Sequence, residues 1–129
     1  MTFHVERIDH VVLRVRDLAA MVRFYEQALG FKEERRLEKL GLVQMRAGAS
    51  LLDLVAGERS AGATNMDHLC FRVEPFDRDA IVTRLAPYGI SVGETVERYG
   101  AEGNGPSVYF HDPEGNQIEL KGAPTGSSH

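Results

Sequence analysis

The sequence predicts an α+β protein built from one β-α-β-β-β unit written twice. Three observations carry that reading. The stretch "IDHVVLRV" at 8–15 returns as "MDHLCFRV" at 66–73, with Asp-His and Arg-Val at matching places. A segment with helical spacing follows each stretch, and each half closes on a pair of strand-like runs, "LVQMRAGASLLDLV" at 42–55 and "SVYFHDPEGNQIELK" at 107–121. Self-similarity of this length marks a duplicated supersecondary unit.

Taken in order, residues 8–15 alternate as a strand should, with Val11, Leu13 and Val15 on one face and His10, Val12 and Arg14 on the other. In "DLAAMVRFYEQALG", Leu18, Met21, Val22, Tyr25 and Leu29 keep helical spacing between a capping Asp17 and a terminating Gly30. The pair at 42–55 turns at Ala-Gly-Ala and sets Leu52 and Leu54 against Asp53. Residues 56–65, "AGERSAGATN", are small and polar without periodicity and read as a connector.

The second copy repeats the pattern. Leu69, Phe71 and Val73 take the helix side, while His68, Cys70 and Arg72 face away. "FDRDAIVTRLAPYG" supplies the helix, with Asp77 as cap, Ile81 and Leu85 on one face, Gly89 at its end and Pro87 shortening it. The last pair turns at Gly-Asn and sets Ile118 and Leu120 against Glu119. The organisation is one domain over 1–125, made of module 4–55, connector 56–65 and module 66–122, with a disordered tail at 123–129, "APTGSSH".

The bulk properties narrow the function classes. A chain of 129 residues, 43% apolar and 26% charged, is ordinary globular composition. Net charge is −4 and the basic residues form no block, which argues against nucleic acid. No apolar run approaches the roughly 20 residues that cross a bilayer. The opening "MTFHVERID" lacks the regions of a secretion signal, and a single cysteine fits a reducing compartment, so the cytoplasm is expected.

The face that carries both histidines also carries both acids. A strand histidine alone is more often a hydrogen-bonded core residue, and a strand acid alone more often sits at an exposed edge. Groups that are merely solvated, however, have no reason to recur at equivalent places. Burying a carboxylate unpartnered costs several kcal/mol, and a divalent cation compensates directly. Imidazole nitrogen and carboxylate oxygen suit Zn, Fe, Mn, Ni or Co, and two histidines with one acid leave positions open for substrate.

These residues resemble the vicinal oxygen chelate superfamily, the glyoxalase, bleomycin resistance protein and dioxygenase family, and its glyoxalase-like subgroup. "IDHVVLRVRDL", "FYEQALGF", "MDHLCFRV" and "VYFHDPEGNQIEL" carry the resemblance, with "ERYGAEGNGPS" upstream of the last. The resemblance implies two modules forming a cupped eight-stranded mixed sheet, with His10, Asp53, His68 and Glu119 as metal ligands. Asp53 is the weakest of the four, because its side chain is one methylene shorter than Glu. Glu119 is the leading proton-transfer base, and Asp53 holds the mirror position. Arg14, Arg72, Arg98 and Tyr99 are the expected substrate contacts, fitting an anionic substrate, with 95–107 as a candidate lid.

The implied function is a metal-dependent lyase or isomerase acting on a small carbonyl compound, thiol adducts included. An Fe(II) extradiol ring-cleaving dioxygenase, a thiol transferase and a non-catalytic drug- or metabolite-binding resistance protein are the competing readings. A homodimer is expected, since pairing with a second chain covers exposed sheet edges.

Overall fold

In the computed structural model, which describes residues 2–57 and 65–125, eight strands and two helices follow the duplicated order. The first copy comprises β1 (His4–Val15), α1 (Leu18–Leu29), β2 (Lys32–Leu37), β3 (Leu42–Ala47) and β4 (Ser50–Ala56). The second comprises β5 (Met66–Glu74), α2 (Arg78–Leu85), β6 (Val96–Gly100), β7 (Gly103–His111) and β8 (Gln117–Lys121). Most of the connector, residues 58–64, and the end of the tail, 126–129, lie outside the described residues.

The helix boundaries follow local chemistry. Asp17 accepts from the Ala20 amide at 3.0 Å, satisfying one of the unpaired donors of the first turn, and Gly30 ends α1 in the left-handed conformation at φ 74°. Asp77 caps α2 by accepting from the Asp79 and Ala80 amides. Beyond Leu85 the chain tightens into a 3₁₀ turn, Ala86–Tyr88, which contains Pro87 and ends at Gly89.

The chain forms two compact units, His10–Asp67, and the residues up to Asp9 together with those from His68 onward. The boundary therefore cuts β1, where the sequence placed His4 at the start of the first module. The cause is contact: Arg7 pairs with Glu102 at 2.5 Å, and Asp9 accepts from the Ala101 amide at 3.0 Å.

Within the His10–Asp67 unit the strand order is β2-β3-β4-β1, with β4 parallel to β1 and the other pairs antiparallel. In the other unit the order is β5-β8-β7-β6, with β8 parallel to β5 and the rest antiparallel. Each parallel pair needs a long crossover, which the helix and the intervening hairpin provide. Val15, Val43, Met45 and Leu54 pack with Val22 of α1, and Val73, Val108 and Leu120 pack with Ile81 of α2. The apolar alternation read from the sequence thus faces the helices in both copies.

Two local expectations change. The Gly-Asn turn is a longer loop, in which the Asp112 carboxylate accepts from the Glu114 amide, the Asn116 amide and the Asn116 side chain, each at 2.9 Å. The described part of the tail is also tied down: the Thr125 amide donates to the Asn104 carbonyl, and its hydroxyl to Glu97.

Candidate metal centre

Strand register decides which side chains meet. In the second copy, Cys70, Glu119 and Tyr109 are neighbours across β5, β8 and β7, and Arg72, Lys121 and Ser107 form the next row. Alternation puts His68 on the same face of β5 as Cys70. Glu119 is fully buried, and His68 Nε2 lies 3.2 Å from Glu119 Oε1. Ser107, also fully buried, donates its hydroxyl to Glu119 Oε2 at 2.7 Å.

This donor set fits a divalent cation. Two donors each ~2.1 Å from one ion, at angles between square and tetrahedral, lie ~3.0–3.4 Å apart. The imidazole nitrogen and carboxylate oxygen therefore stand at ligand spacing.

Tyr109 extends the polar row outward. Its ring meets His68 edge-on, with centroids 5.7 Å apart, and Arg98 Nε donates to its hydroxyl at 3.2 Å. Burial, helped by the nearby Glu119 charge, pushes the Tyr109 phenol up to about 12 against the opposing pull of Arg98. The phenol therefore stays protonated and able to donate through the neutral range.

Arg98 pairs across with Gly105, on the face of Ser107 and Tyr109. Tyr99 pairs with Asn104 and so faces the other way, which removes it from this surface.

Behind Glu119, Lys121 is buried, and desolvation pulls its pKa below that of an ordinary lysine while Asp9 opposes the shift. A Cβ at Gly100 would fall 2.4 Å from Asp9 Oδ2 and 2.6 Å from Lys121 Cε, so only glycine lets β6 approach here. The 95–107 segment is thus no loose lid. It forms β6 and the start of β7, and its tip is held through Asp9 and through Glu102, which pairs with Arg7 and with Arg72 at 2.7 Å.

The two inward arginines are committed to protein partners. Arg72 is 6% exposed and donates to Glu102, Glu74 and the Val73 carbonyl. Arg14 pairs with Asp67. Each charge is thus answered from within its own unit. Cys70, the single cysteine of the chain, is fully buried and directs its thiol to the Phe71 carbonyl, and exposed His4 pairs with Glu6.

In the His10–Asp67 unit, His10 and Asp53 are 3% and 4% exposed, so both are drawn into the interior as the alternation required. Gln44 stands directly across from Asp53 and donates to its Oδ2 at 3.1 Å, while Arg35 donates to the Gln44 amide oxygen at 3.2 Å. Asp53 thus has an amide partner on one oxygen.

Sequence reasoning missed Gln44, Ser107 and Tyr109. The signal was present: aligning 42–55 with 107–121 brings Gln44 and Tyr109 to one position, each opposite its copy's carboxylate.

Residues 7–120 match the Glyoxalase/Bleomycin resistance protein/Dioxygenase superfamily. The chain belongs to this superfamily. The eight-stranded mixed α+β architecture is the glyoxalase-like fold. Among its relatives, the virulence protein STM3117 of Salmonella typhimurium is 35% identical, the match covering 90% of this chain and 83% of that one. The fosfomycin resistance protein FosX of Mesorhizobium japonicum is 26% identical over 90% of this chain and 85% of its own. The methylmalonyl-CoA epimerase of Mycobacterium tuberculosis superposes with a TM-score of 0.64 at 25% identity, over 92% and 89% of the two chains. This superfamily member carries possible ligands for a divalent metal, His10 in one unit and His68 and Glu119 in the other. None of its described helices is long and apolar enough to cross a membrane.

Proposed function

We propose that this glyoxalase-superfamily protein is a metal-dependent lyase or isomerase, in which His10, His68 and Glu119 hold one divalent ion and a small carbonyl substrate, thiol adducts included, undergoes proton transfer. The observation that carries the reading is the buried Glu119 carboxylate at ligand spacing from His68, on a chain whose relatives include an epimerase. Zn, Ni, Mn, Fe and Co all suit this donor set.

The bound ion would supply Lewis-acid stabilisation of the charge that grows on a substrate oxygen beside the breaking C–H bond. Glu119 is the leading base, a role that would require its Oε1 to leave the ion and reach substrate, and Asp53, at the equivalent strand position, is the mirror candidate. Gln44 holds Asp53 Oδ2 and so restricts the orientation of that carboxylate. Tyr109 and Arg98 present a phenol O–H and a guanidinium on the same face, and an anionic substrate group suits them. The reading treats both modules as one domain, working in the cytoplasm as a homodimer. Exposed Val5 and Ile8 on β1 and the terminal positions of β2 and β6 in their units support self-association.

A second reading has its own observation. The FosX relative confers resistance to fosfomycin, so addition of a nucleophile such as a thiol to an epoxide is the runner-up chemistry. Elemental analysis of protein purified without added metal tests the main reading. Close to one divalent ion per chain is expected, falling to a trace in His68→Ala, whereas equal content in the two proteins contradicts it. Deuterium exchange at the carbon beside a substrate carbonyl then separates proton transfer from addition to an epoxide.

A further inference from the structure

We infer that Ser107 is a positioning residue that makes Glu119 a one-oxygen ligand, an inference that rests on the metal-binding reading above. Ser107 and Glu119 are both fully buried, and Ser107 Oγ donates to Glu119 Oε2 at 2.7 Å. The other oxygen, Oε1, is the one that faces His68 at 3.2 Å. The two carboxylate oxygens are therefore assigned different partners before any ion arrives.

That division has a chemical consequence. A carboxylate free to swing can grip an ion with both oxygens and use up two coordination positions. With Oε2 held by a hydroxyl, Glu119 offers Oε1 alone, and one more position stays open for a substrate chelating through two oxygens. The hydrogen bond also restricts rotation of the carboxylate, so less freedom is lost when the ion binds.

The first copy supports the specificity of this arrangement. Its position equivalent to Ser107 is Leu42, opposite Val55 where the second copy has Lys121. Leu42 has no hydroxyl to donate, and Asp53 is instead held by Gln44 from the directly opposite position. Among the described residues, only the second copy sets a fully buried serine on its carboxylate.

The test compares Mn²⁺ and Zn²⁺ affinity, measured by chelator competition, in the wild-type protein, Ser107→Ala and Ser107→Thr, beside the melting temperature of each metal-free protein. Ser107→Ala should bind each ion about 10–100-fold more weakly, and Ser107→Thr, which keeps a hydroxyl, should recover most of the loss. A purely structural serine would lower the metal-free melting temperature and leave affinity unchanged. If Ser107→Ala does not fold, Ser107→Cys takes its place, its thiol being a weaker donor, and reduced affinity is again expected. Equal affinity in wild type and the hydroxyl-free variant overturns the positioning role while the metal reading stands. A wild-type protein that takes up neither ion overturns both.

Discussion

The two copies of the β-α-β-β-β unit place the same rows on the same face and fill them differently. In the first, Asp53 is braced by the Gln44 amide, and the row beyond it is Arg14, Val55 and Leu42. In the second, Glu119 is braced by Ser107 and faces His68, and the row beyond is Arg72, Lys121 and Ser107. The repeated register sets where chemistry can stand. One copy places there a longer carboxylate beside an imidazole, and the other a shorter one bonded to an amide.

The sharpest way to break this comparison is to neutralise each carboxylate in turn. Glu119→Gln should weaken divalent metal binding by more than the ~100-fold upper range for groups behind the ligands, and activity should disappear with it. Asp53→Asn should keep metal affinity within about tenfold, while a role in proton transfer would appear as a loss of about 10²–10⁴ in turnover. Metal titration with a turnover assay on both variants decides. Equal metal loss in the two would make the copies equivalent and the asymmetry an illusion.

A smaller effect separates the equivalent arginines. Arg72 is 6% exposed, and its removal takes away one of the two arginines on Glu102 and a buried charged donor to the Val73 carbonyl, so Arg72→Ala should cost about 1–3 kcal/mol in denaturant unfolding. Arg14→Ala breaks a more exposed pair with Asp67 and should cost under about 1 kcal/mol. If substrate affinity falls in Arg14→Ala while stability holds, Arg14 contacts substrate after all.

The smallest effect compares the closing turns. The first copy turns through Gly48 at φ 67°, with no titratable group in the turn, whereas the second organises residues 112–116 around Asp112. The Asn116 side chain and amide hold the Asp112 pKa below its ordinary value of 3.8. A depressed folded-state pKa means that this stabilisation is present above the unfolded value and is lost as pH falls through the folded one. Amide protection factors in the second turn, corrected for the intrinsic pH dependence of exchange, should therefore fall below about pH 4 more than in the first, and Asp112→Asn should remove the difference. Identical pH profiles for the two turns would show that Asp112 contributes nothing there.

What the sequence revealed was mostly local or periodic. Asp17, Gly30, Asp77 and Gly89 mark helix ends because caps are settled within a turn of the chain. Strand alternation was enough to separate Asp53 and Glu119 from the leucines and isoleucine that flank them. The partners of Arg14 and Arg72 were not legible, since Asp67 and Glu102 lie 53 and 30 residues away. The choice between Arg98 and Tyr99 depended on hairpin register, where one residue reverses the face. The strand "KEERRL" has no apolar alternation, and it is held to β3 by ladder pairing and by ion pairs such as Arg46 with Glu34 at 2.7 Å.

The most direct test of the central claim is the thermal stability gained on adding a divalent ion to metal-free protein. At about 100-fold excess over the dissociation constant the gain is ~2.7 kcal/mol, about 10 °C for a chain of this size. Wild type should show that rise, and His10→Ala, His68→Ala and Glu119→Ala should each lose it if the proposed ligand set is right. A rise that survives in all three variants would contradict the account.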